Sequence, residues 1–101
     1  LTVLPTRWDE GFSLVPIESM ACATPVLATR KGGNPEIVVH QDTGYLIEEC
    51  RKDDIEAMLI SIPKNDLEAC GARARDLVLK RHTLEAWGKA HEQMYASLVQ
   101  A

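Results

Sequence analysis

Residues 24–29, TPVLAT, carry apolar side chains at consecutive positions with no polar alternation. A strand with one face in water alternates, so this run predicts a strand covered on both faces, as in a parallel sheet flanked by helices. Its proline stands at the opening position, which a strand tolerates. Parallel neighbours need crossover connections, and the rest of the chain supplies them.

Residues 1–4, LTVL, are β-prone and begin without turn chemistry, as though a preceding element had been cut away. From Ser13 to about Cys22, the apolar residues Leu14, Ile17, Met20 and Ala21 recur at helical spacing. Ser13 is the expected N-cap, and Pro16 falls in the first turn, where its missing N–H is harmless. KGGNPEIV predicts a tight turn and a brief helix from Pro35 to about Val39, and residues 42–47, DTGYLI, give a turn and a third strand. Asp53 or Asp54 should cap a helix reaching Ile62, with Pro63 and Asn65 breaking it. A further helix is expected from Asp66 to about Lys80. In the last one, Leu84, Trp87, His91, Met94, Tyr95 and Leu98 share a face, with Trp87, Met94 and Tyr95 as a core stripe. The order strand, helix, strand, short helix, strand, helices defines an α/β chain with a Rossmann-like parallel sheet. Such sheets bind ligands at the carboxyl ends of their strands.

Composition narrows the function. The chain has 101 residues, 46% of them hydrophobic and 26% charged, as expected for one small soluble globular domain or a piece of a larger one. The net charge of -4 and scattered basic residues argue against a nucleic-acid partner. No apolar run reaches the length of a membrane span and no signal-peptide pattern opens the chain, so a cytoplasmic location is expected. Cys22, Cys50 and Cys70 are odd in number and widely spaced, which predicts free, mostly buried thiols rather than disulfides or a zinc site. His40, His82 and His91 form no metal-binding pair and are read as structural or exposed.

The first strand's carboxyl end is PTRWDEGFS, and here a strand meets a helix through Gly11. The N-terminus of a helix carries roughly half a positive charge and several N–H groups without internal partners, so this junction suits a phosphate. Glu10 and Glu18 bracket it. A carboxylate aimed at the phosphate would repel it, so a functional Glu10 should turn toward neutral hydroxyls, while Glu18 can accept hydrogen bonds from a vicinal diol. A phosphate between two polyols describes a nucleotide sugar. The helix dipole alone also favours an acid before a helix, and Glu18 also reads as a solvated carboxylate, so spacing leaves both readings open. Arg7 and Lys31 read as surface residues, and Trp8 as a loop aromatic packed on the core.

The string EGFSLVPIESMACATPVLATRKGGNPEIVVHQDTGYLI closely resembles the donor-binding half of retaining glycosyltransferases of the GT-B fold, family 4. Three elements coincide in order: the glutamate-x7-glutamate spacing, the ESMACATPVLAT helix-to-strand unit, and GGNPEIV followed by TGYLI. The resemblance implies an incomplete C-terminal half of a GT-B fold over residues 1–101, with the upstream strands and the N-terminal acceptor domain supplied elsewhere. It makes Glu10 the candidate catalytic residue, on the donor sugar's hydroxyls. Gly11, Phe12, Ser13 and Leu14 would receive the diphosphate, and Glu18 the ribose diol, with Glu36 in support near the pocket.

The implied donor is a nucleotide diphosphate-sugar and the acceptor a sugar, lipid or other hydroxyl compound. The resemblance implies retention of configuration, no cofactor and no essential metal, with peripheral association at the inner face of the membrane as a further expectation. A split-transferase subunit that binds donor or partner without catalysis is the alternative. A nucleotide-sugar epimerase is a third reading. Ser13 and Ala23 depart from the pattern, standing where the family commonly has glycine. Three short strands also leave an edge open, which predicts marginal stability or association for this chain alone.

Overall fold

The structure is a computed structural model and describes residues 1–9 and 11–100. Its elements are β1 (Thr2–Leu4), α1 (Leu14–Ala21), β2 (Val26–Thr29), α2 (Asn34–Ile37), β3 (Gly44–Ile47), α3 (Lys52–Ser61), α4 (Lys64–Arg81) and α5 (Leu84–Val99). The strands form one parallel sheet in the order β1-β2-β3, with Thr2 opposite Val26, Leu4 opposite Ala28, and Val26 to Thr29 opposite Gly44 to Ile47.

All four residues of β2 are buried, which explains why TPVLAT does not alternate. Val26 and Ala28 enter a cluster with Met20, Ile37, Val38, Leu46, Ala74 and Val78. Leu27 enters a second cluster with Tyr45, Ile47 and Cys70, against which Ile55, Met58 and Ile62 pack. Successive strand residues point to opposite faces, so helices must cover both sides of the sheet. Each large apolar side chain so buried contributes about 1.5–3 kcal/mol. Helix α4 serves both clusters, Cys70 in one and Ala74 and Val78 in the other.

Several details differ from the sequence reading. Helix α3 begins at Lys52 with Arg51 as N-cap, so Asp53 and Asp54 occupy its first turn instead of capping it. There they face the positive end of the helix dipole, which accounts for their place. Helix α4 starts at Lys64 behind Pro63, so Asn65 lies inside it and does not break it. Only two residues separate α3 from α4. Helix α5 buries none of its residues: Trp87 and Tyr95 are each 59% exposed and Met94 is 48% exposed, so they are not a core stripe in this chain. Of the cysteines, all three free, only Cys70 is buried; Cys50 is half-buried and Cys22 exposed. Cys22 follows α1 at the surface, and Cys50 lies in the loop before α3.

Candidate functional site

The loops that leave the carboxyl ends of the three strands are laced together. Asp9 Oδ1 accepts a hydrogen bond from the Gly32 N–H at 3.0 Å, joining the loop after β1 to the turn after β2. The Arg30 N–H donates to the Ile47 carbonyl at 2.7 Å and its Nε pairs with Glu48 at 2.7 Å, joining the turn after β2 to the end of β3. The Cys50 thiol donates to the Pro5 carbonyl at 3.2 Å, closing the circuit back to β1. Backbone contact reinforces the first link: a Cβ at Gly33 would lie 2.7 Å from the Gly11 carbonyl oxygen and 3.3 Å from Phe12 Cα. Only glycine fits there.

Helix α1 rises from this platform with its amino end open. Ser13 occupies the N-cap position with extended backbone angles (φ -87°, ψ 138°), yet its hydroxyl makes no capping bond, and the first turn carries no acid. Thr83 does the opposite at α5, where its hydroxyl accepts from the Ala86 N–H at 3.0 Å. The amino end of α1 thus keeps its partial positive charge uncompensated by side chains of its own first turn. Trp8, Gly11, Phe12 and Ser13 line a depression at this point, and nothing lies within 4 Å of the position a Gly11 Cβ would take. Trp8 is 63% exposed, which corrects its reading as an aromatic packed on the core.

Of the residues singled out from the sequence, Gly11, Phe12, Ser13 and Leu14 lie together at this end of α1, Phe12 and Leu14 being exposed. Glu18 stands exposed in the second turn of α1, and Glu36 in the first turn of α2. The reading of Glu10 lies outside the described residues. Two features had no sequence signal beyond the glycine pair: the Asp9–Gly32 bond and the packing of Phe12 on His82, whose ring centroids are 5.5 Å apart. Phe12, Leu14 and Ile17 line an apolar cleft with His82, Leu84 and Trp87 of the α4–α5 corner. Burial, and secondarily the Arg81 charge, push the His82 imidazole below its ordinary value of 6.5. Among the described residues there is no group of three His, Cys, Asp or Glu side chains that could hold a metal ion. No helix among them is long and apolar enough to cross a membrane.

A parallel sheet with helices on both faces and its loops gathered over one end is a Rossmann-like architecture, and it superposes on solved GT-B glycosyltransferases. Against sucrose-phosphate synthase from Thermosynechococcus elongatus the TM-score is 0.76 at 30% identity, covering 97% of this chain and 25% of that one. Against Anabaena HepE in complex with UDP it is 0.85 at 20% identity, over 94% and 27%, a likeness of fold. Residues 1–91 match the family model for glycosyl transferases group 1, and the chain belongs to that family. It is 36% identical over 88 residues to the N-acetyl-alpha-D-glucosaminyl L-malate synthase of Bacillus anthracis, covering 85% of this chain and 23% of that relative. The chain therefore spans about a quarter of the length of these relatives.

Proposed function

We propose that this chain is the donor-binding, C-terminal part of a retaining glycosyltransferase that moves a sugar from a nucleotide diphosphate-sugar to an acceptor hydroxyl. The observation that carries the reading is the open amino end of α1, uncapped by Ser13 and free of acid in its first turn, at the carboxyl end of β1. Backbone N–H groups from Gly11 to Leu14 receive the diphosphate, and the helix dipole offsets charge as it develops on the leaving group. Glu18, exposed one turn further on, takes the ribose diol. Glu10 takes the donor sugar's hydroxyls, a role that rests on the family resemblance. The UDP named with the HepE structure supports a nucleotide-sugar donor. The acceptor half, with the groups that face the sugar, comes from the remainder of the transferase, and the chemistry needs no metal. The work is placed on the cytoplasmic side, at the membrane's inner face where the acceptor is a lipid.

Calorimetric titration of this chain with UDP, GDP and ADP and their sugars tests the proposal, with Glu18→Ala as control. One nucleotide class should bind and weaken in the variant. A folded chain that binds none of them would overturn the reading.

A further inference from the structure

We propose that Asp9 is a positioning residue: with the Gly32–Gly33 turn it holds the loop after β1 in the shape that admits a nucleoside diphosphate. This rests on the donor-site reading above and adds a residue to it. Asp9 Oδ1 accepts from the Gly32 N–H at 3.0 Å, across 23 positions of sequence. A charge-assisted bond of this kind is stronger than a neutral one and fixes the carboxylate's direction. A free carboxylate beside a diphosphate would repel it, and engagement with Gly32 commits one oxygen elsewhere.

The partner turn is itself tied to the end of β2 by hydrogen bonds. Asn34, 1% exposed, donates from Nδ2 to the Thr29 carbonyl at 2.9 Å, anchoring the turn to the last residue of β2. The Lys31 N–H donates to the same carbonyl at 2.8 Å, the Asn34 N–H to the Lys31 carbonyl at 3.1 Å, and the Glu36 N–H to the Gly33 carbonyl at 3.0 Å. Gly32 sits at φ 52°, in the left-handed region. This seat sets where the Gly32 N–H points, and Asp9 transmits that position to the loop. Gly33 abuts the Gly11 carbonyl from one side, while the space beside Gly11 where a side chain would stand is open. Support from one side and access on the other is what a backbone that must approach a phosphate needs.

The test compares the chain with Asp9→Ala, Asp9→Asn, Asp9→Glu and Glu18→Ala, by calorimetric titration with UDP, GDP and ADP, thermal melting, and hydrogen exchange at the Gly32 amide. Asp9→Asn keeps the acceptor oxygen. It should bind within about threefold of the parent chain, while Asp9→Ala should lose about tenfold or more in affinity and exchange faster at Gly32. Asp9→Glu keeps the charge but moves the oxygen by a methylene, and it should bind as poorly as Asp9→Ala, which keeps the question open to decision if the alanine variant does not fold. A merely structural role would lower the melting temperature of the variants and leave the affinity of the folded molecules unchanged, and that result overturns the proposal. If Glu18→Ala weakens binding while the Asp9 variants bind normally, the donor-site reading stands and this inference alone falls. If the parent chain binds no nucleoside diphosphate, both fall.

Discussion

Gly71 of α4 lies against the Ala23 carbonyl so closely that a Cβ at Gly71 would overlap it, with Pro25 Cδ 3.3 Å away on another side. Beside this contact, Arg75 of the same helix donates to the carbonyl of Ala21 at the end of α1. The corner between α1 and β2 is therefore pressed onto α4, and neither backbone can withdraw without opening the cluster around Met20 and Ala74. Gly71→Ala is expected to destabilise by about 1–3 kcal/mol, the usual cost of overpacking, despite alanine's better helix propensity. Thermal or urea melts measure it.

Ala23 holds φ 59°, a left-handed backbone that a Cβ disfavours by about 1–2 kcal/mol. Glycine removes that penalty and gives back part of the gain through its freer unfolded chain. Ala23→Gly should therefore raise stability by about 0.5–1 kcal/mol, a melting-temperature gain of a few degrees for a domain of this size. A melt unchanged or lowered would show that the corner carries no strain.

Glu18 is exposed, and no ion pair engages it among the described residues. Loss of its carboxylate should cost little stability but about tenfold in nucleotide affinity, the worth of a charged hydrogen bond. Glu18→Gln, retaining one acceptor oxygen, should fall between. Titration against melting for the two variants separates binding from folding.

Stability should fall off at both ends of the pH scale. Burial chiefly holds the Cys70 thiol above its ordinary 9.0, with Asp42 and Asp66 adding and Arg73 opposing. Burial, and then Cys70, raise Tyr45 above 10.0. Both groups keep their protons longer when folded, so their contribution is full below pH 9.0 and is lost as the pH climbs through the raised values. His82 behaves conversely: held below 6.5, it takes up a proton more readily in the unfolded chain, so stability drops as the pH falls below 6.5. Melts at a series of pH values should show a plateau between these limits. Cys70→Ala should soften the alkaline limb and His82→Asn the acid one.

How far the sequence could be read depended on range. The strands and α1 were legible because local pattern determines them: unbroken apolar runs for β2 and β3, and a period near 3.6 with an early proline for α1. The start of α3 was missed because Arg51 and Lys52 offer no capping chemistry while two aspartates follow. Helix α4 was read two residues short because a proline suits the position just before a helix as well as it breaks one. The stripe on α5 was a true pattern with a false conclusion, since periodicity defines an apolar face without naming what covers it. The junction at Gly11 could be located from strand, glycine and helix in series. Its brace could not, because Asp9 and Gly32 meet only through the parallel pairing of β1 with β2. Ala23 stands where the resemblance leads one to expect glycine, and its positive φ gives that preference a physical cause.

Helix α4 contributes to both apolar clusters, with Cys70 in one and Ala74 and Val78 in the other. A nascent chain leaves the ribosome amino end first, so all three strands emerge before the helix that completes their cover. Until Val78 has cleared the exit tunnel, each apolar cluster is covered only in part, by α1 and α2 in one and by α3 in the other, and the nascent sheet keeps apolar surface open. The core is therefore completed late in synthesis, by a helix that lies far along the chain from the strands it packs against.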